Sequence, residues 1–171
     1  MIHIPNVKEL YISSNCIITD SGLKHISGIQ KLKMFDNLNI SDEGLKYIPN
    51  VQELYFYHNK KITDSGLKYI PNVRDLTVGS GNSITDIGLA HIPNVEYLYL
   101  YDNEKITDNG LKYIPNIKIL SMFRNKNLTN GGLKYIPNIK VLNIHEDTKI
   151  TANGLKLVPC LDGFFRSPTR S

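Results

Sequence analysis

The chain has 171 residues, 41% of them hydrophobic and 21% charged, and a formal net charge of +4. That balance excludes intrinsic disorder and describes a globular chain, while a charge so mild decides nothing about nucleic acid by itself. Apolar runs are only a few residues long, far short of the roughly 20 needed to span a bilayer, so no membrane segment is expected.

The N-terminal residues Met1 to Pro5 carry no basic segment followed by a long apolar stretch, and no secretory signal is expected there. From Ile4 onward the chain repeats. Ile-Pro-Asn recurs at Ile4, Ile48, Ile70, Ile92, Ile114 and Ile136, with degenerate copies at Ile26 and Val158, always 22 residues apart. Seven full units and a truncated eighth are expected to form one domain over residues 1–171.

Each unit opens on two apolar residues at spacing two: Leu10/Ile12, Leu32/Met34, Leu54/Phe56, Leu76/Val78, Leu98/Leu100, Leu120/Met122 and Leu142/Ile144. Such alternation predicts a short strand with one buried face. Three residues further stand Asn15, Asn37, Asn59, Asn103 and Asn125, with Gly81 and Asp147 in the remaining units. Stacked asparagines can satisfy turn backbone groups that would otherwise be buried bare. Gly81 therefore marks its own turn as a weak spot.

Then follows Ile-Thr-Asp-x-Gly-Leu-Lys-Tyr, as in Ile62 to Tyr69. The Thr or Asp can cap a short helix, the Gly permits close packing on the adjacent turn, and the Pro after the next Ile ends the helix. Asp20, Asp42, Asp64 and Asp108 stand four residues before Lys24, Lys46, Lys68 and Lys112, the spacing of helical ion pairs, so this lysine row reads as a charge-balanced surface. In the last unit Phe164 fills the Leu position and Arg166 falls where an apolar residue belongs. Phe164 and Phe165 are expected to close that end.

In the form Leu-x-x-Leu-x-Leu-x-x-Asn-x-x-Ile-Thr-Asp-x-Gly-Leu, the chain resembles the leucine-rich repeats, with Val51 to Leu67 a representative match. The resemblance implies an α/β solenoid with a parallel sheet on one face and short helices on the other, each unit touching only its neighbours. It also implies protein recognition. The Thr-Asp-x-Gly-Leu variant is similar to repeats of F-box substrate receptors and of bacterial and protist proteins, although this chain carries Asn where the F-box type tends to carry Cys. A ubiquitin-ligase receptor role and an array that self-associates through uncapped ends are the alternatives that follow.

On the outward side of the strands stand Tyr11/Ser13, Lys33/Phe35, Tyr55/Tyr57, Thr77/Gly79, Tyr99/Tyr101, Ser121/Phe123 and Asn143/His145. With strands about 4.8 Å apart, the two Tyr pairs should stand roughly 10 Å from each other, walling a shallow notch over Thr77 and Gly79. Tyr11, Phe35, Tyr55, Tyr57, Tyr99, Tyr101, Phe123 and Arg124 are the candidate contacts for a protein partner, since aromatics and Arg are favoured at interfaces. Charges of both signs lie around them, no basic stripe forms, and nucleic acid is not the expected partner.

Among the histidines, His25 and His91 occupy a slot that Tyr fills elsewhere, and His58 and His145 lie four units apart. No pair is close enough to share a metal, and no metal or cofactor is expected. Cys16 and Cys160 belong to the first and eighth units, about 34 Å apart by strand spacing, against the roughly 7 Å a disulfide allows. Two free thiols suit a reducing, intracellular and cytoplasmic setting. No Ser-His-Asp or Cys-His set is expected within one or two units, so the chain reads as a non-catalytic module with no catalytic residues.

Overall fold

The computed structural model describes residues 7–14, 16–145 and 149–167, with His145 and Ser167 described by backbone alone. His3, Ile4, Asn15, Glu146 and Asp147 lie outside the described residues.

The alternating segments form β1 (Glu9–Ile12), β2 (Lys31–Phe35), β3 (Glu53–Tyr57), β4 (Asp75–Val78), β5 (Tyr97–Tyr101), β6 (Ile119–Phe123), β7 (Val141–His145) and β8 (Gly163–Ser167). They make one parallel sheet in chain order. Its register follows the repeat without slippage: Leu10 stands opposite Leu32, Leu32 opposite Leu54, and so on to Leu142 opposite Phe164. A slip of one residue would turn every apolar side chain to solvent, which is why a 22-residue repeat gives an in-line stack.

Among the described residues, seven single-turn α-helices return the chain: α1 (Asp20–Leu23), α2 (Asp42–Leu45), α3 (Asp64–Leu67), α4 (Asp86–Leu89), α5 (Asp108–Leu111), α6 (Asn130–Leu133) and α7 (Ala152–Leu155). The core between the layers is one continuous cluster in which Leu32, Leu45, Leu54, Leu67, Leu76 and Leu89 are fully buried. Of the N-caps, Ser41, Thr63, Thr85, Thr107 and Thr129 each accept the N–H two residues on, while Thr19 and Thr151 make no side-chain cap bond.

The Asp after the cap bonds neither to the helix nor to the lysine four residues later. Its carboxylate reaches the next unit: Asp64 accepts from the Thr85 N–H at 2.8 Å and the Thr85 hydroxyl at 2.6 Å. Asp20, Asp42, Asp86 and Asp108 do the same to Ser41, Thr63, Thr107 and Thr129. The glycine three residues beyond each bridged Ser or Thr makes room for this. A Cβ on Gly66 would collide with the Asp42 carboxylate, and one on Gly88 with that of Asp64. The lysine row is accordingly not paired as the spacing suggests. Lys68, Lys112 and Lys134 lie 4.8–4.9 Å from the centres of the Tyr69, Tyr113 and Tyr135 rings. Lys46 pairs with Glu43.

The asparagines form the expected ladder. Asn59 is buried and makes four bonds: its Nδ2 donates to the carbonyls of Asn37 and Ile40, both at 2.9 Å, and its Oδ1 accepts from the N–H groups of Lys61 at 2.8 Å and Ile62 at 3.2 Å. The gap expected at Gly81 is filled. Gly81 takes a left-handed φ of +73°, and Asn82, one residue late, enters the ladder instead. Asn82 donates to the Gly79 carbonyl, and its Oδ1 accepts from the Ile84 N–H and the Asn103 side chain.

At the C-terminal edge Phe164 holds the Leu position, 37% exposed. Phe165 does not help close the end. Strand alternation turns it to the opposite face, beside Asn143, where it is 61% exposed. Arg166 stands opposite Ile144, and its guanidinium donates to the Ile150 carbonyl at 2.5 Å, satisfying a backbone group near the edge.

Candidate functional site on the open face of the sheet

The outward residues fall into columns because the register repeats. In one column stand Phe35, Tyr57, Gly79, Tyr101 and Phe123, and they leave no notch. Gly79 offers no side chain, so the Tyr57 ring leans across it. A Cβ there would meet Tyr57 Cγ at 2.6 Å and the Tyr57 Cα at 2.9 Å. Tyr57 thereby comes within 5.9 Å of Tyr101, centre to centre. Phe35 stacks on Tyr57 at 5.3 Å and Phe123 on Tyr101 at 5.5 Å, each pair with planes 13° apart. The expected 10 Å gap is thus closed by a continuous aromatic ladder across five strands. It closes because offset-stacked rings attract and the missing side chain leaves one of them free to tilt.

The neighbouring column runs Tyr11, Lys33, Tyr55, Thr77, Tyr99 and Ser121. Lys33 Nζ lies 5.3 Å from the centre of the Tyr11 ring and 4.6 Å from that of Tyr55, a cation shared between two faces. Thr77 and Ser121 are buried at the level of the sheet. Tyr55 donates its hydroxyl to Asp75 Oδ2 at 2.7 Å, and Lys31 pairs with Glu53 at 2.7 Å. Burial and then the Asp75 carboxylate hold the Tyr55 phenol far above its ordinary range, and the same causes raise Tyr99. Burial also raises the Asp75 carboxyl, whose Oδ1 is enclosed without a partner among the described residues. This enclosed carboxylate is legible only in the structure; in the sequence Asp75 is one charge among many.

Arg124 does not share the ring face. It sits one residue past β6 on the rim, with φ +53°, and bonds Asp102 at 3.3 Å. Asp36, His58 and Asp102 hold the same rim position with φ of 51–52°. Non-glycine residues adopt this region rarely, and here backbone bonds from Asp36 N to the Tyr57 carbonyl and from His58 N to the Ser80 carbonyl fix the loops side by side. As a result Asp36 Oδ1 lies 2.6 Å from His58 Nδ1, and His58 Nε2 lies 2.8 Å from Ser80 Oγ. Asp36, His58 and Ser80 come from three consecutive units, a wider span than the one or two units over which no Ser-His-Asp set was expected, and they form a hydrogen-bonded line. The three residues share one repeat offset, 22 residues apart, and that offset was the readable signal.

At the opposite, N-terminal ends of the strands a shallow groove is lined by Asn50, Asn72, Asn94 and Asn116. Its charges pair internally: Glu96 accepts from Arg74 at 3.2 Å and Lys118 at 2.5 Å. The Lys118 contact holds the Glu96 carboxyl below its usual value. Among the described residues, no group of three or more His, Cys, Asp or Glu side chains is arranged to hold a metal ion. Cys16 and Cys160 are free thiols at opposite ends of the sheet, and no described helix is long and apolar enough to cross a membrane.

The family described as Leucine Rich repeat matches residues 3–27 and 91–114. No curated protein matches the chain by sequence. Among solved structures, an internalin (inlF) from Listeria monocytogenes superposes with a TM-score of 0.65 at 19% identity, over 88% of this chain and 52% of that one. Internalin C2 of the same organism gives 0.62 at 19% identity, over 95% and 81%. A chain of the Drosophila Toll–Spatzle complex gives 0.76 at 13% identity, over 95% of this chain and 23% of that one. The chain thus spans about half the length of the first internalin. At these identities the likeness is one of fold.

Proposed function

We propose that this chain, folded as a leucine-rich repeat solenoid, is a protein-binding module whose partner lies on the open face of the sheet, around Tyr55, Tyr57, Tyr99 and Tyr101, with Tyr11, Phe35, Phe123 and Arg124 at its margin. The fold is a typical protein-interaction scaffold, and one structure it resembles is that of a protein–protein complex. The observation that carries the reading is the aromatic ladder from Phe35 to Phe123. Rings already held against each other lose little freedom on binding, so their area converts to affinity at low entropic cost. Packed ring against ring, they offer a partner their edges and the hydroxyls of Tyr57 and Tyr101, which suits apolar side chains and peptide carbonyls better than stacking nucleobases. No observation favours the ubiquitin-ligase reading.

Affinity capture from source-cell lysate tests this, comparing wild type with a Tyr55→Ala/Tyr57→Ala/Tyr99→Ala/Tyr101→Ala variant of unchanged circular dichroism. Proteins retained by the wild type and lost by the variant support the reading. Identical recovery removes the sheet face as the site.

A further inference from the structure

We propose that Ser80 is an activated nucleophile, with His58 as its base and Asp36 as the positioning residue, and that it takes acyl groups from activated esters. This activity lies beyond the binding role of the sheet. The three side chains come from consecutive rim loops, and the order of their contacts assigns their roles. An ionised Asp36 carboxylate can only accept, so His58 Nδ1 carries the ring proton and donates to Oδ1 at 2.6 Å. In the neutral ring this leaves the lone pair on Nε2, 2.8 Å from Ser80 Oγ, where it accepts the hydroxyl proton. Carboxylate to Nδ1 and Nε2 to hydroxyl is the arrangement by which a serine is activated, and it is recognised by geometry rather than by fold.

The surroundings allow a substrate to approach. Ser80 is flanked by Gly79 and Gly81, so no adjacent side chain covers the hydroxyl. The Tyr57 ring lying over Gly79 supplies an apolar wall for an acyl or aryl group. Asp36 and His58 share the left-handed φ of the rim turn with Asp102 and Arg124, and this turn sets their side chains side by side along the rim. The side chains of His58 and Asp36 are 60% and 57% exposed, so the base acts in a largely aqueous setting. That places its effect at the low end of general-base catalysis, about 100-fold, and selects esters with a good leaving group.

In the step, Ser80 Oγ bonds to the acyl carbon while its proton passes to His58 Nε2. The bond from the acyl carbon to the leaving oxygen breaks, and Nε2 returns the proton to that oxygen. Water then attacks the acyl-serine by the same route and releases the carboxylic acid. The balance is one ester and one water to one acid and one alcohol.

The test is p-nitrophenyl acetate with the full chain, following p-nitrophenolate release and mapping acetyl groups by peptide mass analysis. Ser80→Ala, His58→Gln, Asp36→Asn and Asp36→Glu are run alongside, their folds checked by circular dichroism. The expected result is acetyl on Ser80, about 100-fold slower in His58→Gln, slowed in Asp36→Asn and largely restored in Asp36→Glu. The wild-type rate should show a pH dependence that His58→Gln abolishes. His58→Ala serves if the Gln variant is unfolded. Ser80 left unmodified, equal rates in wild type and His58→Gln, or acetyl on His58 instead of Ser80 would each overturn the proposal.

Discussion

Replacing Asn59 by Ala removes four hydrogen bonds from a fully buried position and leaves two carbonyls and two N–H groups of the Asn37, Ile40, Lys61 and Ile62 backbones without that partner. At about 1 kcal/mol net per bond, the variant should lose roughly 4 kcal/mol of stability. Asn59→Asp separates the two halves of the side chain's work. It keeps an oxygen for the Lys61 and Ile62 N–H groups but turns a second, charged oxygen toward the Asn37 and Ile40 carbonyls. It should therefore cost at least as much as Ala. Because each unit touches only its neighbours, damage between the second and third units should also weaken the coupling of the two ends and lower the denaturant slope. Equilibrium urea unfolding followed by circular dichroism reads both quantities. Asn109→Ala, an exposed helix position, is the control and should stay within about 0.5 kcal/mol of wild type. A loss below about 1 kcal/mol in Asn59→Ala, or an Asp variant more stable than the Ala one, would refute the role given to the ladder.

Two further substitutions test the packing and electrostatics of the open face. Gly79→Ala places a Cβ against Tyr57 Cγ and the immovable Tyr57 Cα, and should destabilise by about 1–3 kcal/mol in thermal unfolding while disturbing the near-ultraviolet tyrosine signal. Gly28→Ala, where a Cβ meets nothing within 4 Å, should leave the tyrosine signal unchanged, and equal effects of the two variants would contradict this packing. Burial raises the Asp75 carboxyl, so the folded state favours its protonated form and the ionised form costs stability. Asp75→Asn should be the more stable protein at neutral pH, with the difference closing as the pH falls through the raised value toward 3.8. Urea unfolding across that range checks it, and a variant less stable at neutral pH with a gap that does not narrow would show the sign to be wrong.

Much of the fold was legible because each requirement recurs every 22 residues. Leu54 and Phe56 announce a half-buried strand, Asn59 a stacked turn, and Thr63 a cap. What was hidden depends on partners one unit away. Asp64 has a lysine at helical spacing, yet the N–H and hydroxyl of Thr85 offer it two bonds in a part-buried setting, and these prevail over an exposed ion pair. The replacement of Gly81 by Asn82 in the ladder depends on the left-handed φ that only the folded turn reveals. On the open face, strand alternation identified the rings correctly. Their contact across Gly79 was not legible, because strand spacing locates backbones while ring tilt is set by the empty space beside them. The Asp36, His58 and Ser80 line was readable in principle, since residues of equal offset become neighbours in a solenoid.

Which face meets the partner separates recognition by the sheet from recognition by the helices. The direct measurement is photo-crosslinking with p-benzoylphenylalanine placed in turn at Phe35, on the aromatic ladder, and at Tyr113, on the helical side, both of them exposed. With a captured partner bound, recognition through the sheet predicts a covalent adduct from position 35 and none from position 113. An adduct from position 113 alone would place recognition on the helices and contradict it.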